Sequence, residues 1–243
     1  LAFNGVPFFN SSGPIGIFSN VTLAAGKTLI VTNGPQLTGT LTFAGANPGM
    51  AGNLIISHTN VVVSASADNA VGSAVVTVNS GKLSADANNA FGTAQITVNA
   101  GASAAATVSN AFGNSTVTFN SSATGIVSVA YSLGASTSVL SPGAVLSVSR
   151  GAFNGMAGAN VRLNGGALSF NSAVTGAIAP LDNVQVASSG TISSFGDTGG
   201  STWMVTHKSL DFTGEGSLLT LATTINNSSG GSPTNVFNSV MVS

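Results

Sequence analysis

Between Ala67 and Asn120 the chain repeats itself. The runs DNAVGSAVVTVNSG, NNAFGTAQITVNAG and SNAFGNSTVTFNSS put Asn69, Asn89 and Asn110 at one position. They put Gly72, Gly92 and Gly113 at a second position, and Asn79, Asn99 and Asn120 at a third. The interval is shared by all three sets, and the second step is one position longer than the first in each. Each unit also carries a short alternating run: Val76-Thr77-Val78, Ile96-Thr97-Val98 or Val117-Thr118-Phe119. Alternation with period two makes a strand with one dry face and one wet face. A unit of about 20 residues cannot bury its apolar face alone, so the units must stack and share a core. The expected fold is all-β: a right-handed parallel β-helix (β-solenoid) with turns of ~20–21 residues. The right hand follows from the preference of parallel crossovers.

The register extends beyond the clear repeats. Gly134, Ser141 and Gly143 continue the Gly, Asn and second Gly positions, and Leu133 follows Val71, Phe91 and Phe112. Gly158, Asn164 and Gly165 carry similar roles in a longer turn. Upstream, Gly26-Lys27 matches Gly81-Lys82, and strands are expected at Thr40–Phe43, Asn53–Ser57 and Asn60–Ala65. Downstream, strands are expected at Val184–Val186, Thr191–Ile192, Trp203–Thr206, Ser209–Phe212, Leu218–Leu221 and Asn235–Val242. Counted one by one, these runs suggest about 11–12 turns and a rod of roughly 55 Å. Three segments result: an apolar arm or cap at 1–18, a solenoid at 19–225, and a tether with a C-terminal strand at 226–243.

The runs NAVGSAVVTVNSGKL and NAFGTAQITVNAG resemble the autotransporter-associated β-strand repeat of bacterial surface and secreted proteins. The resemblance covers Ala67–Asn120 and extends loosely to about Phe170. It implies a right-handed β-helix passenger and an extracellular or cell-surface location of bacterial type. No C-terminal membrane barrel follows in the sequence, so the secretion route of that family is not carried over.

Composition narrows the function. Charged residues make up 5% of the chain, against roughly 25% in ordinary domains. The net charge of −1 offers no basic surface for nucleic acid or anionic lipid. Mean hydropathy is +0.45, yet no run approaches the ~18 apolar residues of a membrane span. Cysteine is absent, which removes disulfides and thiolate metal sites. The first residue is not Met, as in a processed or excised fragment.

Sites for chemistry are sparse. The acids are Asp68, Asp86, Asp182, Asp197, Asp211 and Glu215; the bases are Lys27, Lys82, Arg150, Arg162 and Lys208, with His58 and His207. Glycan-cleaving β-helices need carboxylates gathered on one face, and these read instead as isolated surface charges. GKT at 26–28 lacks the first Gly of a phosphate loop, Val21 standing there. GDTGG at 196–200 resembles the nucleophile box of chymotrypsin-like proteases, with His58 and Asp86 ahead of Thr198 in that family's order. A glycine-rich corner explains it better. Sequons at Asn10, Asn20, Asn114, Asn120, Asn226 and Asn227 are no more than chance gives in a Ser/Thr/Asn-rich chain. Thr77, Thr97 and Thr118 form an outward column that breaks at Val139, which argues against an ice-binding face.

No catalytic, cofactor-binding or metal-binding residue is therefore assigned. The Asn sets 69/89/110 and 79/99/120 are expected to form ladders of stacked side-chain amides. The leading functional expectation is a structural, non-catalytic subunit of an extracellular filament, polymerising head to tail with itself. The expected interface comprises Phe3, Phe8 and Phe9 of the arm with Val236, Phe237, Val240, Met241 and Val242 of the last strand, added to a neighbour's edge. An adhesin that binds carbohydrate or a surface, with glycans as partners, stands second; a polysaccharide-active enzyme is remote.

Overall fold

Short apolar–polar–apolar runs, closed at each end by Gly, Asn or Ser, cannot sustain helices and suit the sides of a coil. The computed structural model describes residues 16–32, 39–149, 158–171, 176–178, 183–196, 203–225 and 233–242. Within them lie nineteen strands and no helix. The first nine are β1 (Gly16–Phe18), β2 (Thr28–Val31), β3 (Gly39–Phe43), β4 (Asn53–Ala65), β5 (Val75–Ala85), β6 (Gln95–Val98), β7 (Ser103–Ala106), β8 (Thr116–Phe119) and β9 (Thr124–Val127). Five more follow: β10 (Thr137–Leu140), β11 (Val145–Ser149), β12 (Asn160–Leu163), β13 (Ala167–Asn171) and β14 (Gly176–Ile178). The last five are β15 (Asn183–Val186), β16 (Ser189–Gly196), β17 (Trp203–Phe212), β18 (Leu218–Ile225) and β19 (Pro233–Val242).

Every pairing is parallel, as a coil requires. One side stacks β2, the first half of β4, the first half of β5, β6, β8, β10, β12, β15, and then the second halves of β17 and β19. A second side stacks β1, β3, the second halves of β4 and β5, β7, β9, β11, β13, β16 and β18. The fold is a β-solenoid. About seven turns of about 22 residues carry the first side from Thr28 to Asn183. Two wider steps follow, 26 residues from Asn183 to Ser209 and a still longer one from Ser209 to Ser239.

The stack is shorter than the sequence suggests. Runs that look like separate turns share one: Trp203–Thr206 and Ser209–Phe212 are two halves of β17, and Leu218–Leu221 lies on the next side of the same turn. With rungs about 4.8 Å apart, the coil is roughly 45 Å long. The short turns of the sequence repeat occur only in the middle, where Val75, Gln95, Thr116 and Thr137 stand in register one above another. There the third side is a compact corner rather than a strand. In the last turns that corner opens into a third ladder, β14 on the first half of β17 on the first half of β19. This extra strand is why those turns lengthen.

Both sequence-derived end boundaries move. Gly16–Phe18 pairs with Leu41–Phe43, so the coil begins inside the expected arm. The C-terminal strand pairs with β17 of its own chain, so it is a rung of the coil and not a segment beyond it.

The core lies along the axis. Val78, Val98, Phe119 and Leu140 form one buried column in direct register. Val71, Phe91, Phe112 and Leu133 are likewise fully buried at successive corners, as expected, with the rings of Phe91 and Phe112 stacked at 5.0 Å. Thr77, Thr97, Thr118 and Val139 pair on the outer face. Because Phe112 fills the axis between two turns, Phe112→Ala is expected to cost about 3–5 kcal/mol, read as a lowered midpoint in denaturant unfolding.

Candidate functional site

The corners hold the most specific chemistry in the molecule. Asn69, Asn89 and Asn110 have φ of 54°, 50° and 52°, and Gly72, Gly92 and Gly113 have φ of 59°, 54° and 60°. Left-handed backbone twice within one short corner is what turns the chain, and Asn and Gly are the residue types that tolerate it. The corners also bond to each other: the Asn69 N–H donates to the Asn89 carbonyl at 2.9 Å, and Asn89 to that of Asn110 at 2.7 Å.

The two Asn sets behave differently. Asn99 Nδ2 donates to Asn79 Oδ1 at 2.8 Å, and Asn120 Nδ2 to Asn99 Oδ1 at 2.7 Å. That is the expected amide ladder. In the other set the amides reach diagonally, to the preceding position one turn back. Asn89 Nδ2 donates to Asp68 Oδ1 at 2.8 Å, and Asn110 Nδ2 to Asn88 Oδ1 at 3.1 Å. The Asn oxygens then fall against the glycines of the next turn. A Cβ built on Gly92 would collide with Asn69 Oδ1, and one on Gly113 with Asn89 Oδ1. Each glycine is therefore required twice, for its φ and for the side chain packed on it.

The charged residues are not all isolated surface groups. Asp86 is half-buried and accepts from Ser64 Oγ at 2.6 Å, Ser84 Oγ at 2.7 Å and Thr107 Oγ1 at 2.7 Å, which ties three successive turns together. Burial pushes its carboxyl up; the bonds from Ser64, Ser84 and Thr107, with the charge of Lys82, outweigh it and hold the carboxyl below its ordinary range. The signal was present in the sequence, since Ser64 and Ser84 are paired positions one turn apart. His207 is also no surface base. It is fully buried, with its ring stacked on Phe237 at 4.9 Å and tilted against Phe170 at 6.3 Å. Asn47, not singled out by sequence, is buried at the first turns. Its Oδ1 accepts from the Val21 N–H at 2.7 Å, and its Nδ2 donates to the Gly45 and Ala70 carbonyls at 2.8 Å each.

The residues expected at a subunit interface separate. Phe3, Phe8 and Phe9 lie outside the described residues, as do Asp182, Asp197, positions 226–232 and most of the GDTGG run. Val236 and Phe237 sit in β19 opposite Thr206 and His207, so Phe237 belongs to the chain's own core. Val240, Met241 and Val242 remain exposed on the same rung. Among the described residues no three His, Cys, Asp or Glu side chains gather, and Gly26-Lys27-Thr28 is a corner leading into β2.

Gly113→Ala is expected to cost about 3 kcal/mol or more, strain plus overpacking against a tethered amide. Gly101→Ala, at φ 76° with nothing within 4 Å of the new methyl, is expected to cost about 1 kcal/mol. Equal unfolding midpoints for the two variants would contradict the packing argument. For Asp86, a folded-state pKa below the unfolded one adds stability above the unfolded value near 3.8, and this is lost as pH falls through the folded value. Asp86→Asn is expected to cost about 1 kcal/mol at pH 7, discounted for solvent screening, and to flatten the acid limb of stability against pH.

No protein-family model, curated protein or solved structure matches the chain.

Proposed function

We propose that the chain is a structural, non-catalytic subunit that assembles end to end into an extracellular or cell-surface filament. The observation that carries this reading is the C-terminal end of the coil. Val240 continues the buried column of Leu210, Val242 that of Val186 and the partly buried Phe212, and Leu221 that of Ile192, yet they are 57%, 82% and 49% exposed. They are core-facing side chains with no rung above them among the described strands. The outer edge of β19 carries no partner among the described strands, and natural β proteins normally charge, cover or pair such an edge. At the other end β2 is paired, among the described strands, on one side only, with β4.

A head-to-tail arrangement lets a further parallel rung continue both ladders, and a heterologous contact of that kind does not close on itself. The low charge of the lateral surface and the resemblance of Ala67–Asn120 to repeats of bacterial surface proteins support the setting. The strand-exchange route expected from sequence is set aside, because β19 is seated in its own chain. Deleting that strand would uncover His207, so the test uses charge instead. Negative-stain microscopy of the purified chain is expected to show filaments or end-joined rods, and Val240→Lys with Val242→Lys is expected to leave single β-rich rods. A wild-type chain that stays single at high concentration would sink this reading.

A further inference from the structure

The column of corner residues changes character at its last described member. Asn69, Asn89 and Asn110 are followed by Tyr131, which keeps the same backbone at φ 60°. Its carbonyl makes the same bonds as theirs, accepting from the Asn110 N–H at 2.7 Å and the Gly134 N–H at 3.2 Å. The corner therefore asks for nothing that Asn does not supply, and a bulky side chain at positive φ is disfavoured where Asn is tolerated. Nor does burial explain the substitution. Tyr131, the only tyrosine of the chain, is 53% exposed, beside Val129 at 37%. It is the one exposed aromatic among the described side chains. A strained, exposed ring that does nothing for the fold points to a contact outside it.

The surroundings say which kind. One position earlier in each turn stand Asp68, Asn88 and Ser109, all exposed, in a row with a spacing of about 4.8 Å per turn that continues to Ala130, the chain neighbour of Tyr131. The amide of Asn110 fixes Asn88, and that of Asn89 fixes Asp68. A row of exposed hydrogen-bonding groups, two of them held in place, that leads to the corner carrying one aromatic ring matches a chain of uncharged sugar rings. The C–H face of one ring lies on the tyrosine, and hydroxyls of the next rings meet the polar row. Among the described side chains the apolar patch of Val129 and Tyr131 is far too small for a protein interface of about 800 Å² per partner. No cation stands in the row to attract a phosphate backbone.

We infer that the corner face from Asp68 to Tyr131 binds a neutral glycan, with Tyr131 as the stacking platform. This is independent of end-to-end assembly. The test is titration calorimetry of the 243-residue chain with uncharged fragments of β-1,4-glucan, β-1,4-N-acetylglucosamine, mannan and galactan. The wild type is expected to bind at least one, and Tyr131→Phe to retain that binding. Tyr131→Asn restores the residue of the turns below; it is expected to raise the thermal midpoint while weakening binding about tenfold, as loss of a stacked ring would. Three results would each overturn the inference: no fragment bound by the wild type, unchanged affinity in Tyr131→Asn, or a lowered midpoint in that variant.

Discussion

Parallel stacking in register is the constraint on which this molecule depends. Each rung lies about 4.8 Å from the next, so every side chain meets its own counterpart one turn away. Apolar columns gain from that arrangement, aromatic rings stack in it, and primary amides can donate to one neighbour and accept from the other. Like charges cannot, because repulsion would be repeated at every turn. The scarcity of charge therefore has a structural cause before it has a functional one. Asp86 is instructive here: the positions matching it one turn either side are Ser66 and Thr107, and its carboxylate is held by hydroxyls from three turns.

The length of a turn follows from what is asked of its third side. Where two left-handed residues fold the chain back at once, the coil closes at the interval of the sequence repeat, as from Val75 to Gln95 and on to Thr116. Where that side becomes a strand, as in β17 and β19, the turn grows and the perimeter widens. Wider turns enclose more volume. The middle of the coil is filled largely by Ala, Val and single Phe side chains, whereas the last turns bring Phe170, His207 and Phe237 together.

Much of this was legible in the sequence, for a physical reason. Columns such as Val78, Val98, Phe119 and Leu140, and the ladder of Asn79, Asn99 and Asn120, recur at the repeat period, and recurrence is what stacking requires. The number of turns was harder to read, because a strand run does not say which side of the coil it occupies. The place of β19 was not legible at all. Its partner is β17, with Ser239, Val240 and Val242 over Ser209, Leu210 and Phe212, but the two strands lie further apart than the repeat interval, so the spacing did not point to the pairing. His207 reads as a base in a list of charges, and only its pairing with Phe237 puts it in the core. The diagonal reach of Asn89 and Asn110 was hidden too, since identical spacing fits either a straight or an oblique bond.

That oblique reach gives the corner column a direction. The oxygen of Asn69 rests on Gly92, that of Asn89 on Gly113, and that of Asn110 on Gly134. What each glycine position tolerates is thus decided by the turn before it, and never by the turn after. Shortening an asparagine would lift one of the two demands on the glycine one turn further on, leaving its positive φ, while changing the glycine would release nothing behind it. The repeat is consequently read in one sense along its axis, and compensating substitutions in such a column should come in ordered pairs, the asparagine yielding first.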